Sequence, residues 1–199
     1  MNNFVHTGWA MTQVPGPTRH STSIRLAWVV IAAGVVVAAL YVFGTEHTPS
    51  PTLGLFGQNG VDTIRLKSQI ATGVLGLALV QLVLALWMYA KLPGVTSPSR
   101  SVSRVHRGVG AVLFLVTLPV AVHCMFAYGV QTYDARVTVH SLAGCFFYGA
   151  FLAKVLVVRS RRLPGWVIPV IGGLLVATVA VIWYSSALWY FNGFQLPFT

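Results

Sequence analysis

Three histidines occupy positions where a long apolar chain could hold a redox group. His106 opens the third apolar stretch, His123 lies near its far end, and His140 opens the fourth. Neutral imidazole nitrogens bind haem iron axially, and low-spin b-type centres use two of them. Ionisable side chains are costly inside a bilayer and tend to mark functional sites. One helix rises to a membrane surface at His123, and the next leaves it at His140 after a short loop. Both histidines are therefore expected roughly 5–8 Å below that surface, as the candidate pair of iron ligands. Adjacent helices pack about 8–10 Å apart, so a porphyrin between these two requires them to splay. Failing that, His47, just beyond the first apolar stretch, is the other histidine on that side.

The fourth stretch carries a stripe at heptad spacing: His140, Gly144, Phe147, Phe151 and Lys154. Such positions share one helix face. A glycine one turn from a histidine opens space for a flat macrocycle, and the phenylalanines would line it. The same spacing also describes an ordinary packing face between membrane helices. Lys154 falls at about the depth of His106. It can snorkel towards headgroups along its aliphatic stem, or contact a quinone or a haem propionate. Arg136 and Arg65 sit at the opposite edge, where a guanidinium suits propionates or lipid headgroups alike. Cys124 and Cys145 fall on neighbouring helices, and a bridge between them is geometrically conceivable. No C-x-x-C, C-x-x-C-H, H-E-x-x-H or P-loop pattern is present. Structural zinc, c-type haem and nucleotide hydrolysis thus have no motif behind them.

These residues are set on membrane spans. Of 199 residues, 56% are hydrophobic and 8% charged, which excludes an ordinary soluble domain. Five stretches, at about 26–43, 68–90, 106–128, 137–158 and 167–191, are long and apolar enough to cross roughly 30 Å of hydrocarbon. The predicted class is an all-α membrane protein of five transmembrane helices. It comprises a cytoplasmic tail over 1–25, expected to be mobile, a span domain over 26–191 and a short outer tail over 192–199. The first apolar run has no evident small-x-small cleavage site and reads as a retained signal anchor.

Charge sets the expected orientation. With the N-terminus inside, nine Lys/Arg lie on the cytoplasmic side: Arg19, Arg25, Lys91, Arg100, Arg104, Arg107, Arg159, Arg161 and Arg162. Arg65, Lys67 and Arg136 face out, together with all three acidic residues. That bias predicts an N-in, C-out protein of the plasma membrane. The formal charge of +10 is then a matter of topology, and the lipid bilayer, not nucleic acid, is the partner it implies. Trp87, Tyr89 and Trp166 at one interface, and Tyr41, Tyr128, Tyr133, Trp189 and Tyr190 at the other, fit the same depths.

An offset of 71 residues exposes a weak internal match. Arg65, Gln69 and Gly73 correspond to Arg136, His140 and Gly144, and Lys91-Leu92-Pro93-Gly94 to Arg162-Leu163-Pro164-Gly165. The match predicts two repeated hairpins related by a pseudo-twofold along the membrane normal, plus a fifth helix. It equates Gln69 with His140.

The passages Leu118-Pro119-Val120-Ala121-Val122-His123-Cys124 and His140 to Ala150 resemble a family of small multi-helix actinobacterial membrane proteins of unknown function. His106-Arg107 followed by Gly110 resembles the start of a haem-bearing helix in cytochrome b561-like and ferric-reductase-like membrane domains. Those families often carry a second histidine 13 or 14 positions along the same face, where this chain has Pro119 or Val120. His123 is rotated from His106 by roughly 100°. The resemblance implies haem b; His123 and His140 are its expected ligands by their depth, with His106 and Lys154 near an inner cofactor or quinone. The expected function is a redox subunit carrying electrons between a quinol and an outer-face partner subunit. The competing reading is a scaffold or accessory subunit without haem, its histidines serving as hydrogen-bonding pieces.

Overall fold

A computed structural model describes residues 19–95, 100–160 and 163–196. It is all-helical. Helix α1 spans Arg19–Glu46, α2 Gly60–Met88, α3 Arg100–Ala127, α4 Ala135–Arg159 and α5 Val167–Trp183. A π-helical turn, Tyr184–Leu188, carries α5 on into a last turn, Trp189–Phe191. Counted with that extension, five helices are long and apolar enough to cross a membrane, and they fit a multi-pass membrane protein. Most begin before the apolar stretches do, because polar flanks such as Asp62–Lys67 continue the helix into its first turns. Arg161, Arg162 and residues 1–18 lie outside the described residues.

Local chemistry explains several ends. Asp134 caps α4, its carboxylate accepting from the Val137 amide at 2.8 Å, which satisfies a donor the helix cannot. Asn59 precedes α2 without a side-chain cap. The Thr63 hydroxyl in its first turn donates back to the Gln58 carbonyl at 2.6 Å. Between α3 and α4 the chain turns through Gly129 at φ +68°. A side chain there would strike the Gly44 carbonyl, and the next amide, Val130, donates to that carbonyl at 2.8 Å. The end of α1 is thereby fastened to the α3–α4 loop.

The packing order differs from the chain order. Helix α1 packs on α4, α3 on α2, and α5 between α2 and α4, whereas neither α1 with α2 nor α3 with α4 makes a substantial helix–helix interface. The two helices of each hairpin, α1 with α2 and α3 with α4, thus stand apart. Tyr148 of α4 reaches across the α3–α4 gap, its hydroxyl 3.2 Å from both the Thr117 carbonyl and Oγ1. The mid-depth core is formed by Val74, Ala78, Leu113, Phe147, Leu175 and Val179, with Ala150 beside them.

Candidate functional site

The splaying of α3 from α4 leaves the bundle hollow near His140. One cleft of ≈ 190 Å³ lies among α2, α3, α4 and α5, and another of ≈ 340 Å³ lies between α1, α3 and α4. Ala121, Cys124, His140, Gly144 and Tyr148 line both, so the two adjoin across the α3–α4 gap. A third cleft of ≈ 310 Å³ occupies the interior at the opposite end, by His106. Phe147 and Val179 line both this cleft and the ≈ 190 Å³ one, forming the partition between the two ends. All five residues of the α4 stripe therefore face the interior: His140 and Gly144 at one end, Phe147 at the partition, Phe151 and Lys154 at the other.

The tautomer of His140 follows from its partner. The Ser185 hydroxyl lies 2.7 Å from the Val181 carbonyl and 3.2 Å from that of Ile182, and can only donate to them. Its single proton is committed there, so at the 3.1 Å contact with His140 Nδ1 the serine oxygen accepts. In the neutral ring Nδ1 then carries the hydrogen and Nε2 the lone pair. The π-helical turn that presents Ser185 is of a kind often found at functional sites. One turn along α4, an added Cβ on Gly144 would meet nothing within 4 Å.

His123 is placed differently. It is buried and lines none of the three clefts. Its Nε2 is 2.9 Å from the Leu53 carbonyl, an acceptor, so Nε2 bears the hydrogen and ties the α1–α2 loop to α3. Its Nδ1 is buried with no protein partner. His123 and His140 are therefore not brought to a common cleft. His47 stacks on Phe43 at 5.3 Å and meets Phe126 edge-on at 5.1 Å, in an aromatic cluster of its own. Arg136 is also engaged. It donates to the Ser185 carbonyl at 3.0 Å and lies 3.9 Å above the Trp189 ring, anchoring the end of the fifth span to α4.

Two interior residues carry no sequence expectation of a site. Lys67 lines the cleft opposite His140, its Nζ 4.4 Å from the Tyr128 ring centroid and 4.0 Å from Cys124 Sγ. Gln81 is buried at the His106 end, its amide nitrogen donating to the His106 carbonyl at 2.6 Å. The signal was present: Lys67, Ala71, Val74, Ala78 and Gln81 repeat the spacing of the α4 stripe, with polar groups at both ends. At His140's level the interior residue of α2 is thus Lys67, while Gln69, its partner in the internal match, is exposed.

Cys124 and Cys145 are free thiols. Among the described residues no three His, Cys, Asp or Glu side chains gather as a metal site. Of the histidines expected as haem ligands, His140, which lines both adjoining clefts, would be the one to hold such a group. The position of His123 does not fit a bis-histidine centre.

A model of a family of unknown function (DUF6529) matches residues 26–198, and the chain belongs to that family. No curated protein and no solved structure matches it. The likeness to cytochrome b561-like and ferric-reductase-like domains thus gains no support from relatives.

Proposed function

We propose that the protein is a redox subunit of the plasma membrane whose prosthetic group, haem b, is held at the His140 end through that one histidine. The observation that carries the reading is the position of His140, which lines both adjoining clefts with Gly144 one turn away and the Ser185 hydroxyl 3.1 Å from its Nδ1. Outer hydrogen bonds of this kind orient histidine ligands and raise their basicity. Haem, when bound, supplies one-electron chemistry. The chain's own contributions are separable. Ser185 would hold the imidazole, Gly144 would leave room, and Phe147 and Val179 would close the interior side against water. Lys67 supplies a positive charge on the same cleft, which offsets the carboxylates of the group. Electrons would pass between a quinol and a partner subunit at the outer face.

The orientation belongs to the same proposal: N-terminus in the cytoplasm, His140 end outside, as the Lys/Arg bias supports. In a cysteine-free background, Thr52→Cys is expected to react with an impermeant maleimide on intact cells. We also read the helices as two hairpins related by a pseudo-twofold. The pairing of α1 with α4 and of α3 with α2, with α5 between α2 and α4, supports it. The offset of 73 between the interior stripes differs from the 71 of the sequence match, so the helices would have rotated since any duplication.

The test is spectroscopic. Protein purified from haem-replete membranes is expected to show a reduced b-type spectrum that His140→Ala abolishes and His123→Ala retains. A colourless, stable wild-type protein refutes haem and leaves the scaffold reading. Loss of the spectrum in both variants refutes ligation by His140 alone.

A further inference from the structure

We infer that the cleft at the His106 end binds the ring of a membrane-soluble hydroquinone through Gln81, Lys154 and His106. Gln81 reaches from α2 to α3 at this end. Its Nε2 must face the His106 carbonyl, since the flipped amide would set oxygen against oxygen. Its Oε1 is therefore an acceptor, and it is buried with no protein partner in a residue only 8% exposed. His106 Nδ1 is likewise buried and without a protein partner. Lys154 lines the same cleft and brings a donor. A ring nitrogen and an amide oxygen left unsatisfied in a cleft that also holds a lysine are unusual, because buried polar groups are normally hydrogen-bonded.

The complement of needs selects the ligand. Gln81 Oε1 requires a hydroxyl that donates, while Lys154 requires an oxygen that accepts. A phosphate diester or a carboxylate offers acceptors only and leaves Gln81 unmet. A phenolic hydroxyl serves both, and the imidazole of His106 can take or give the proton between them. The remaining wall suits an aromatic ring. Phe147 and Phe151 stand on one side, and Gly110, Gly172 and Gly173 fill none of the space with side chains. At ≈ 310 Å³ the space falls at the lower end of ligand pockets, roughly 300–1,000 Å³, which are mostly apolar with a few placed polar groups. Gly110 also makes the arrangement possible: a Cβ there would come within 3.0 Å of the Gln81 amide nitrogen.

The inference names the quinol of the redox reading but rests on this cleft's own donors and acceptors, and its test reads binding, not colour. A decyl-substituted benzohydroquinone is titrated by calorimetry, under reductant, into the full chain in nanodiscs. The wild type is expected to bind one equivalent, and Gln81→Leu and Lys154→Met each to weaken binding at least tenfold. Gly172→Leu, whose added Cβ meets nothing within 4 Å, is expected to abolish it with the fold intact. Gly34→Leu, on α1 away from this cleft and likewise with nothing within 4 Å of an added Cβ, is expected to bind as the wild type does. The inference is overturned if the wild type does not bind, or if Gly172→Leu binds equally well. It is overturned equally if decanoate or decanol competes as strongly as the hydroquinone, or if folded Gln81→Leu is unaltered, as it would be were a water the group that Gln81 meets. Absence of haem in the same preparation would leave every one of these outcomes readable.

Discussion

Two glycines five residues apart on α4 should respond oppositely to the same change. Replacing glycine by alanine within a helix favours the folded state by about 0.5–1 kcal/mol. At Gly144 nothing opposes that gain, for a Cβ meets no atom within 4 Å. At Gly149 the Cβ would lie 2.8 Å from the Ala33 carbonyl oxygen and 2.5 Å from Val37 Cγ2. The first is main chain of α1 and cannot rotate away, so α1 must back off α4. Overpacking of this kind costs about 1–3 kcal/mol, and small residues are what allow membrane helices such close approach. Gly144→Ala should therefore gain about 0.5–1 kcal/mol, while Gly149→Ala should lose on balance about 1–2 kcal/mol. For a chain of this length the two midpoints should separate by on the order of 5–10 °C. Thermal unfolding in one detergent, followed by circular dichroism and by loss of the monodisperse peak, measures it. Equal midpoints, or a Gly144→Ala variant that melts first, would refute the assignment of Gly149 to the α1 contact and of Gly144 to open space. The larger Gly144→Leu extends the reasoning to function: it should keep the fold and exclude the prosthetic group.

Other consequences can be measured on the same preparations. Asp134→Ala removes the carboxylate that caps α4 and should cost about 1 kcal/mol of stability; Asp134→Asn should restore most of it. Arg136→Lys keeps the charge but loses the planar contact with Trp189 and the bond to Ser185, so a drop of about 1–2 kcal/mol is expected. A double-mutant cycle with Trp189→Leu should return a coupling near 1 kcal/mol, and additivity would show that the stacked pair contributes nothing. His123→Ala should free the loop over 47–59, seen as faster proteolysis there with a cost of about 1–3 kcal/mol; unchanged cleavage would dissociate His123 from Leu53. Both cysteines should be alkylated in denaturant without reductant, and a mass lower by two adducts would reveal a bridge.

The five spans were legible in the sequence because apolar length is a local property that needs no knowledge of neighbours. The α4 stripe was legible too, since heptad spacing places five side chains on one face whatever that face meets. So was the divergence of His106 and His123, which their separation along α3 rotates onto different faces. Helix neighbours were another matter. Lipid-facing and protein-facing surfaces are both apolar, so hydrophobic periodicity says little about which side of a membrane helix is covered. Only the tertiary structure set α1 against α4 and α2 against α3, opening the gap beside His140. It turned His123 to the Leu53 carbonyl, away from the histidine with which it was expected to share a ligand. It also drew Lys67, from the polar flank of α2, and Gln81, one polar residue in an apolar run, into the interior, because the facing of each depends on the packing of the other helices.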